Sequence, residues 1–134
     1  MTYELPLLEL QAAIYKLLKS SVLLTEKVSG IFDAVPKNQP YPYVVIGSPF
    51  TNPFDTKVTN GEEINLTIHV WSDYNGKKEC YELLNICRQV LKQRHDVTNF
   101  KILRIDRKGT QVFDDIDPRI RHGVLNLRYT IKNI

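Results

Sequence analysis

The sequence predicts an α+β fold, a two-layer sandwich in which a mixed, mainly antiparallel sheet carries two helices on one face. Two segments have apolar residues at helical spacing, and two others alternate apolar and polar residues as strands do. The order is helix, two or three strands, helix, then two or three strands, with too few β–α–β units for a doubly wound sheet. A length of 134 residues, with 43% hydrophobic and 25% charged residues, indicates one domain over 1–134.

The two helices are predicted from stripes of apolar residues. The first helix runs from about Pro6 to Lys19, and Ser20 and Ser21 can cap one further turn in "VLLTEKV". The second spans about 77 to 93, and its stripe is Cys80, Leu83, Leu84, Cys87, Val90 and Leu91. The two cysteines are seven positions apart, about 10 Å along a helix axis, so they cannot form a disulfide. We expect both to be buried thiols.

Strands are predicted on both sides of the second helix. "YVVIG" and the alternating "EEINLTIHVWS" precede it, and "NFKILRID" and "RHGVLNLRYTIKN" follow it. "IFDAV" is a candidate short strand, and "TQVFDD" is expected to pair briefly. In "EEINLTIHVWS" the core face carries Ile64, Leu66, Ile68 and Val70. Between the first two strands, residues 48–60 are predicted to form a loop without regular structure, far longer than most hairpin loops need.

Residues that could carry chemistry are few and scattered. The histidines His69, His95 and His122 show no HxH or HxxxH spacing, so we expect exposed or hydrogen-bonded structural roles rather than a metal site. The acidic cluster of Asp114, Asp115 and Asp117 lacks the glycine and distal glutamate of a calcium loop. It is predicted to be a solvated turn or an ion-pair surface facing Arg119 and Arg121. No nucleophile elbow, phosphate loop or CxxC motif is present.

The charge pattern points to no dedicated nucleic-acid binder. The formal charge of +3 arises from 18 Lys and Arg against 15 Asp and Glu, spread along the chain. The basic residues of the later strands lack interleaved aromatics for base stacking and are interpreted as a charged rim: Arg104, Arg107, Lys108, Arg119, Arg121 and Arg128. The amino-terminal segment has no run long enough to span a bilayer, which argues against a membrane partner.

Taken together, the segments resemble a known family over nearly the full length. An amino-terminal leucine-rich helix leads to "VPKNQPYPYVVIG", then to "GEEINLTIHVWS", a short turn, a helix from Cys80 to Leu91, and the closing strand "RHGVLNLRYTI". In this order and spacing the chain resembles the tail-completion, or tail-to-head joining, proteins of bacteriophages with long, flexible, non-contractile tails. It is most similar to a member from a Bacillus phage.

The resemblance implies a structural virion protein rather than an enzyme. Such a protein caps the head-proximal end of the tail tube as a hexameric ring, binds the head connector and surrounds the channel for DNA. The implied partners are the tail tube protein, the head-completion or connector protein, and other copies of the chain. DNA would pass without sequence-specific binding, no cofactor would be needed, and the protein would be made in the host cytoplasm.

The loop of residues 48–60 is the candidate assembly segment. It combines two aromatic residues with a polar run, and aromatic residues often anchor interfaces. We expect it to be mobile in the monomer and to become ordered against a neighbouring subunit or the tube. Its predicted contact residues are Phe50, Asn52, Phe54, Asp55 and Lys57. A second candidate set of ring or partner contacts is Asp114, Asp115, Arg119 and Arg121.

The sequence leaves two rival functions open. One is a small nucleic-acid-binding module that uses the arginines of the last strands, whose affinity would fall steeply with salt. The other is a small hydrolase, which requires Asp114, Asp115 and His122 to converge in one pocket.

Overall fold

The computed structural model describes residues 4–134, in which six strands form one mixed sheet and three helices lie on one side of it. The helices are α1 (Leu7–Lys19), α2 (Val22–Thr25) and α3 (Lys78–Lys92). The strands are β1 (Ile31–Phe32), β2 (Tyr43–Ile46), β3 (Phe50–Pro53), β4 (Gly61–Ser72), β5 (Phe100–Asp114) and β6 (Arg121–Asn133). The predicted α+β fold class is confirmed.

The sheet is built around its two central strands. The strand order is β1-β2-β4-β6-β5, and β3 pairs with the first part of β4. Only the short β1–β2 pair is parallel, whereas the other pairs are antiparallel. All 12 residues of β4 pair with β6, so these strands form the longest continuous ladder of β4. Segments from the middle and the end of the chain therefore meet in the centre of one sheet.

The helices begin and end close to the predicted residues because their signals are local. Ser21 caps α2 by accepting a hydrogen bond from the Leu24 backbone N–H at 3.2 Å, as predicted for the extra turn. The apolar stripe of α3 is buried as predicted, and α1 buries Leu10, Ile14 and Leu18. Most of the stability of these helices comes from burying those stripes on the sheet.

The core lies between the helices and one sheet face. Period-2 alternation buries Ile64, Leu66, Ile68 and Val70 of β4 and Leu125, Leu127, Tyr129 and Ile131 of β6. The two thiols are buried in the same cluster, and burial raises the pKa of Cys80 to about 11 and that of Cys87 to about 12. The prediction of buried thiols is confirmed.

Tyr129 is the largest fully buried side chain, and its hydroxyl is paired with a histidine. The Tyr129 hydroxyl lies 2.9 Å from His95 Nε2, and His95 Nδ1 lies 2.7 Å from the Gln93 carbonyl oxygen. Because a carbonyl only accepts, Nδ1 donates, and in a neutral imidazole Nε2 accepts from the tyrosine. The predicted hydrogen-bonded structural role of His95 is confirmed.

The prediction of two separate segments in β5 is wrong, because residues 100–114 form one strand. Register shifts occur between Ile102 and Arg104 and between Arg107 and Gly109. Each shift adds an unpaired residue. It therefore changes whether odd- or even-numbered residues face the core. The alternation is therefore broken twice, and the strand is not visible as one pattern. Gly109 has a φ of 114°, which a residue with a side chain rarely adopts.

Leu84 of α3 packs closely against the sheet. Its exposed fraction is 6%, and a Cβ added to Gly123 of β6 would lie 2.9 Å from Leu84 Cδ1. The glycine therefore makes room for the leucine. We predict that Leu84→Ala lowers the free energy of unfolding by about 2 to 5 kcal/mol in chemical denaturation, since it leaves a cavity.

A double-mutant cycle with the neighbouring Gly123 tests this prediction further. Gly123→Ala alone should also destabilise, but in the Leu84→Ala background the new methyl group has space, so the double variant should lose less than the sum of the two. Gln89→Ala, on the exposed side of α3, is the matched control and should change stability by less than about 0.5 kcal/mol. A Leu84→Ala loss as small as the control would mean that this helix face is not packed on the sheet.

Candidate functional site

The sheet face opposite the helices, here called the outer face, carries a row of aromatic rings. Tyr43 of β2 pairs with Trp71 of β4, Trp71 with His122 of β6, and His122 with Phe113 of β5. The Trp71 and His122 rings are stacked, with centroids 3.8 Å apart and planes 9° apart. Phe113 meets His122 edge-on at 4.7 Å. Four neighbouring strands thus each place a ring at the same level of the outer face, and we call these four rings the aromatic row.

Two histidines meet on this face. His69 Nδ1 lies 2.7 Å from His122 Nε2. The planes of the two rings make an angle of 22°. One nitrogen must donate and the other accept, so the pair shares one proton when both rings are neutral. The sequence search found no convergent histidine pair, because it looked for spacing within one strand or helix. His69 and His122 converge across β4 and β6 instead.

The environment of the pair favours neutral rings. Desolvation lowers the pKa of His122 to about 4, the neighbouring His69 also lowers it, and Asp115 opposes both. Burial also lowers the pKa of His69. Within residues 4–134, no group of three or more His, Cys, Asp or Glu side chains is arranged to hold a metal ion. The pair is therefore best described as a hydrogen-bonded, structural element of the aromatic row.

The assembly segment predicted from sequence is partly a strand. Residues Phe50–Pro53 form β3 and pair with Glu62–Asn65 of β4, so the prediction of a loop without regular structure is wrong for these four residues. Proline is tolerated there because β3 is a peripheral strand. The remaining turn is closed by hydrogen bonds between Thr56 and Thr59, including a backbone bond of 2.8 Å. Its mobility in the monomer stays a prediction.

The five residues proposed for this segment lie on or beside the hairpin. Phe50 is opposite Asn65 and is 66% exposed, and Asn52 is opposite Glu63. Phe54 is 40% exposed and donates its backbone N–H to the Gly61 carbonyl at 2.8 Å. Asp55 accepts from the Gly61 N–H at 3.4 Å, whereas Lys57 is exposed in the turn. An exposed aromatic pair at a hairpin end is a feature of contact surfaces.

The acidic turn after β5 is held by ion pairs. Asp117 binds Arg119 with both carboxylate oxygens, the shorter contact being 2.8 Å, and Asp114 contacts Arg121 at 3.2 Å. The Asp115 backbone N–H donates to the Ile120 carbonyl, which closes the turn. The predicted ion-pair surface is confirmed. Exposed pairs of this kind contribute little to stability.

The two predicted site groups are not brought together. β3 lies at the Gly61 end of β4, and the acidic turn lies at the Ser72 end, because Ser72 pairs with Arg121. At about 3.3 Å per residue, these ends are roughly 35 Å apart. The two predicted contact regions therefore lie at opposite ends of β4.

The structure weakens both rival functions. Several arginines of the proposed basic rim are already neutralised by carboxylates: Arg104 by Asp106, Arg119 by Asp117, Arg121 by Asp114 and Arg128 by Glu63. For a hydrolase, Asp114 lines a cavity on the helix side with Arg121 and Glu82, whereas His122 lies on the outer face. The three residues that a hydrolase would need do not share a pocket.

No helix within residues 4–134 is long and apolar enough to cross a membrane. The described residues also carry an aromatic row, an exposed hairpin and a charged turn on one sheet. Exposed aromatic and charged surfaces of this kind are typical of proteins that bind other proteins.

Comparison with known proteins identifies the family to which the chain belongs. A sequence profile of the family "Tail completion protein gp17" matches residues 12–132. The chain therefore belongs to this family of bacteriophage tail completion proteins, which are structural components of the virion. It is 32% identical to the tail completion protein gp17 of Bacillus phage SPP1 over 134 residues, 99% of each chain.

Solved structures agree with this assignment. The structure of the bacteriophage SPP1 gp17 protein matches with a TM-score of 0.67 and 30% identity, covering 96% of this chain and 92% of that one. A chain from the virion of a native gene transfer agent particle matches with a TM-score of 0.85, covering 92% and 95%. At 20% identity, this second match shows a shared fold. The family resemblance predicted from sequence is confirmed.

The His69–His122 pair gives a test by pH. Because desolvation disfavours the imidazolium of His122 in the folded state, the unfolded chain binds a proton that the folded chain does not between about pH 6.5 and pH 4. This contribution to stability is complete above pH 6.5 and is lost as the pH falls towards 4. We predict that the His122 ring signals titrate in NMR with a midpoint well below 6.5.

The matched variant is His122→Phe, which keeps a ring beside Trp71 but cannot titrate. Its unfolding free energy should fall less between pH 7 and pH 4.5 than that of the natural chain. A His122 midpoint at or above 6.5, or equal losses in the two proteins, would contradict the geometry of the pair.

Proposed function

We propose that this chain caps the head-proximal end of the finished tail tube as a hexameric ring and joins the tail to the head connector. The observation that carries the proposal is the match to the SPP1 tail completion protein across 99% of both chains. A protein that joins a tail to a head requires one surface for the tail and another for the connector. The two contact regions at opposite ends of β4 meet that requirement.

Ring formation needs two unlike self-surfaces, because subunits in a ring meet head to tail. The sheet has two different edges. At one edge, β5 is a strand of 15 residues that pairs only with β6 among the described strands. At the other edge lie the short β1 and β3. We propose that neighbouring copies meet through these edges, with the bulges of β5 limiting unwanted pairing in solution.

The two ends of the domain are assigned to the axial partners. The hairpin end, with Phe50, Asn52, Phe54, Asp55 and Lys57, is proposed to contact the tail tube protein or a neighbouring subunit. The acidic turn, with Asp114, Asp115, Arg119 and Arg121, is proposed to contact the ring neighbour or the connector. The DNA would pass through the ring without sequence-specific contacts, since most arginines of the rim are paired with carboxylates. The protein would thus be located at the head-to-tail interface of the virion.

Electron microscopy of purified tails that lack this protein tests the function directly. Added protein should give extra ring density at one end of the tube, and the capped tails should join purified heads. Phe50→Ser should fold normally and cap fewer tails, since it removes an exposed aromatic anchor. The matched control is Val22→Ser in α2, because Val22 is 67% exposed and Phe50 66%.

Two results would contradict the proposal in different ways. Density along the whole tube, or none, would remove the capping function. Equal capping and joining by Phe50→Ser and Val22→Ser would leave the function standing but show that the hairpin is a spacer.

We also predict that the free chain is a monomer in dilute solution and forms a ring only on the tail. Preformed rings would bypass the order of assembly, and a contact that needs the tube to complete it has less free energy in solution. Sedimentation at micromolar concentration should give the mass of one chain, 15.6 kDa. A stable hexamer under those conditions would overturn this prediction.

A further inference from the structure

A cleft between α3 and β5, on the side of the sheet that carries the helices, collects positive charge without a partner. Arg88 of α3 and Arg107 of β5 line the same cavity of about 470 Å³. Among the described residues, neither arginine forms an ion pair, and no carboxylate lines this cavity. This differs from the arginines of the turn and the outer face, which face carboxylates.

Arg88 is held in a position that calls for an acceptor. Its Nε–H is buried from solvent and has no hydrogen-bond partner among the described residues. A buried donor left unpaired costs free energy, and a charged donor costs more than a neutral one. Because Nε is closed to solvent, an oxygen in the cleft would reach it only if the Arg88 side chain turned towards the cleft, and that contact would remove the cost.

Arg107 points to the same side of the sheet as Arg88 because of the register that begins after the first bulge of β5. Arg107 pairs with Leu127, whose side chain is in the core beneath the helices, so Arg107 points to the helix side. The register shift that follows it accommodates Lys108 as the extra residue and restores the pairing at Gly109. The first bulge thus turns the Arg107 side chain to the helix side, and the ladder continues on both sides of each bulge.

The walls of the cleft fit a small acidic side chain rather than a nucleic acid. Tyr81, Leu84, Asn85 and Arg88 have the i, i+3, i+4, i+7 spacing of one helix face, so they line the cleft along α3. Leu84 and Leu125 give it an apolar floor for methylene groups, and Tyr81 and Asn85 add polar groups at the rim. Binding of duplex DNA depends on many cations along a surface, and here only two converge in a confined cavity.

From this arrangement we infer that the α3–β5 cleft is a binding site for a carboxylate, contributed by an aspartate or glutamate side chain of a partner protein. Arg88 would bind the carboxylate through its guanidinium N–H groups, Nε–H included once the side chain turns, and Arg107 would bind from the opposite wall. The inference does not depend on the ring or on the function proposed above, because it rests on the charge and burial of the cleft alone.

NMR of the full, isotopically labelled chain tests the site through the arginine Nε–H signals. The probe is the acetylated and amidated peptide Gly-Glu-Glu-Gly, and its matched control is Gly-Gln-Gln-Gly. The glutamate peptide should shift the Arg88 and Arg107 signals together and saturate on the order of a millimolar, and the glutamine peptide should not. Arg107→Gln should weaken the binding measured at Arg88 at least about fivefold, whereas Arg94→Gln, at an exposed arginine outside the cleft, should leave it unchanged.

Three outcomes would overturn the inference. The first is the absence of a saturable shift at Arg88. The second is equal binding in Arg107→Gln and Arg94→Gln, which would mean that only overall charge matters. The third is a duplex of 20 base pairs that shifts the same two arginines at lower concentration than the peptide, with a steep salt dependence, since that would assign the cleft to nucleic acid. Inorganic phosphate, as a further arm, separates a general oxyanion site from one shaped for a carboxylate: binding tighter than that of the peptide would reject the assignment to a side chain.

Discussion

The register of β4 against β6 is the constraint on which the rest of the structure depends. All 12 residues of β4 are paired, and because side chains alternate between faces, one register determines both sides of the sheet. On the helix side it aligns Ile68 with Leu125 and places Gly123 under Leu84. On the outer side the same register puts Trp71 opposite His122. A slip of one residue would expose the core and disperse the aromatic row together.

The apolar side chains of this ladder stabilise its register. The same register fixes the positions of the polar side chains on the outer face. Burial of the alternating core residues supplies the free energy that selects one pairing over its neighbours. The outer-face residues contribute less to this free energy, but the register determines their spacing. Thr67 and Asn126 form a side-chain hydrogen bond of 2.7 Å there, and Glu63 and Arg128 an ion pair of 3.4 Å. The sheet thus holds the aromatic row, the Thr67–Asn126 hydrogen bond and the Glu63–Arg128 ion pair at fixed positions on its outer face.

Sequence reasoning succeeded where a signal is local and periodic. The helix stripes and the alternation in β4 and β6 specify burial without knowledge of the neighbours, and those core residues were predicted correctly. It failed where the determining fact lies in another strand. β3 has no alternation of its own and is defined by pairing with Glu62–Asn65, and β5 loses its period at two bulges. His69 and His122 are 53 positions apart, so only the register of two strands shows that they meet. The cleft arginines were missed in the same way, since Arg107 was grouped with a charged rim, and Arg88 was not singled out on α3.

The distribution of charge shows how one small domain can offer several contacts that do not interfere. Arginines of the turn and the outer face are paired with carboxylates within the chain, which leaves those surfaces close to neutral and lets shape and aromatic contacts decide what binds. The α3–β5 cleft is the opposite case, because its two arginines lack such partners among the described residues and one of them is partly withdrawn from solvent. The ring subunit proposed above would need contacts that are orthogonal in this sense, since each neighbour would have to recognise one surface and ignore the others. In that proposal, shape-based contacts at the ends and outer face of the sheet and a charge-based contact on the helix side would provide that separation with a single sheet and three helices.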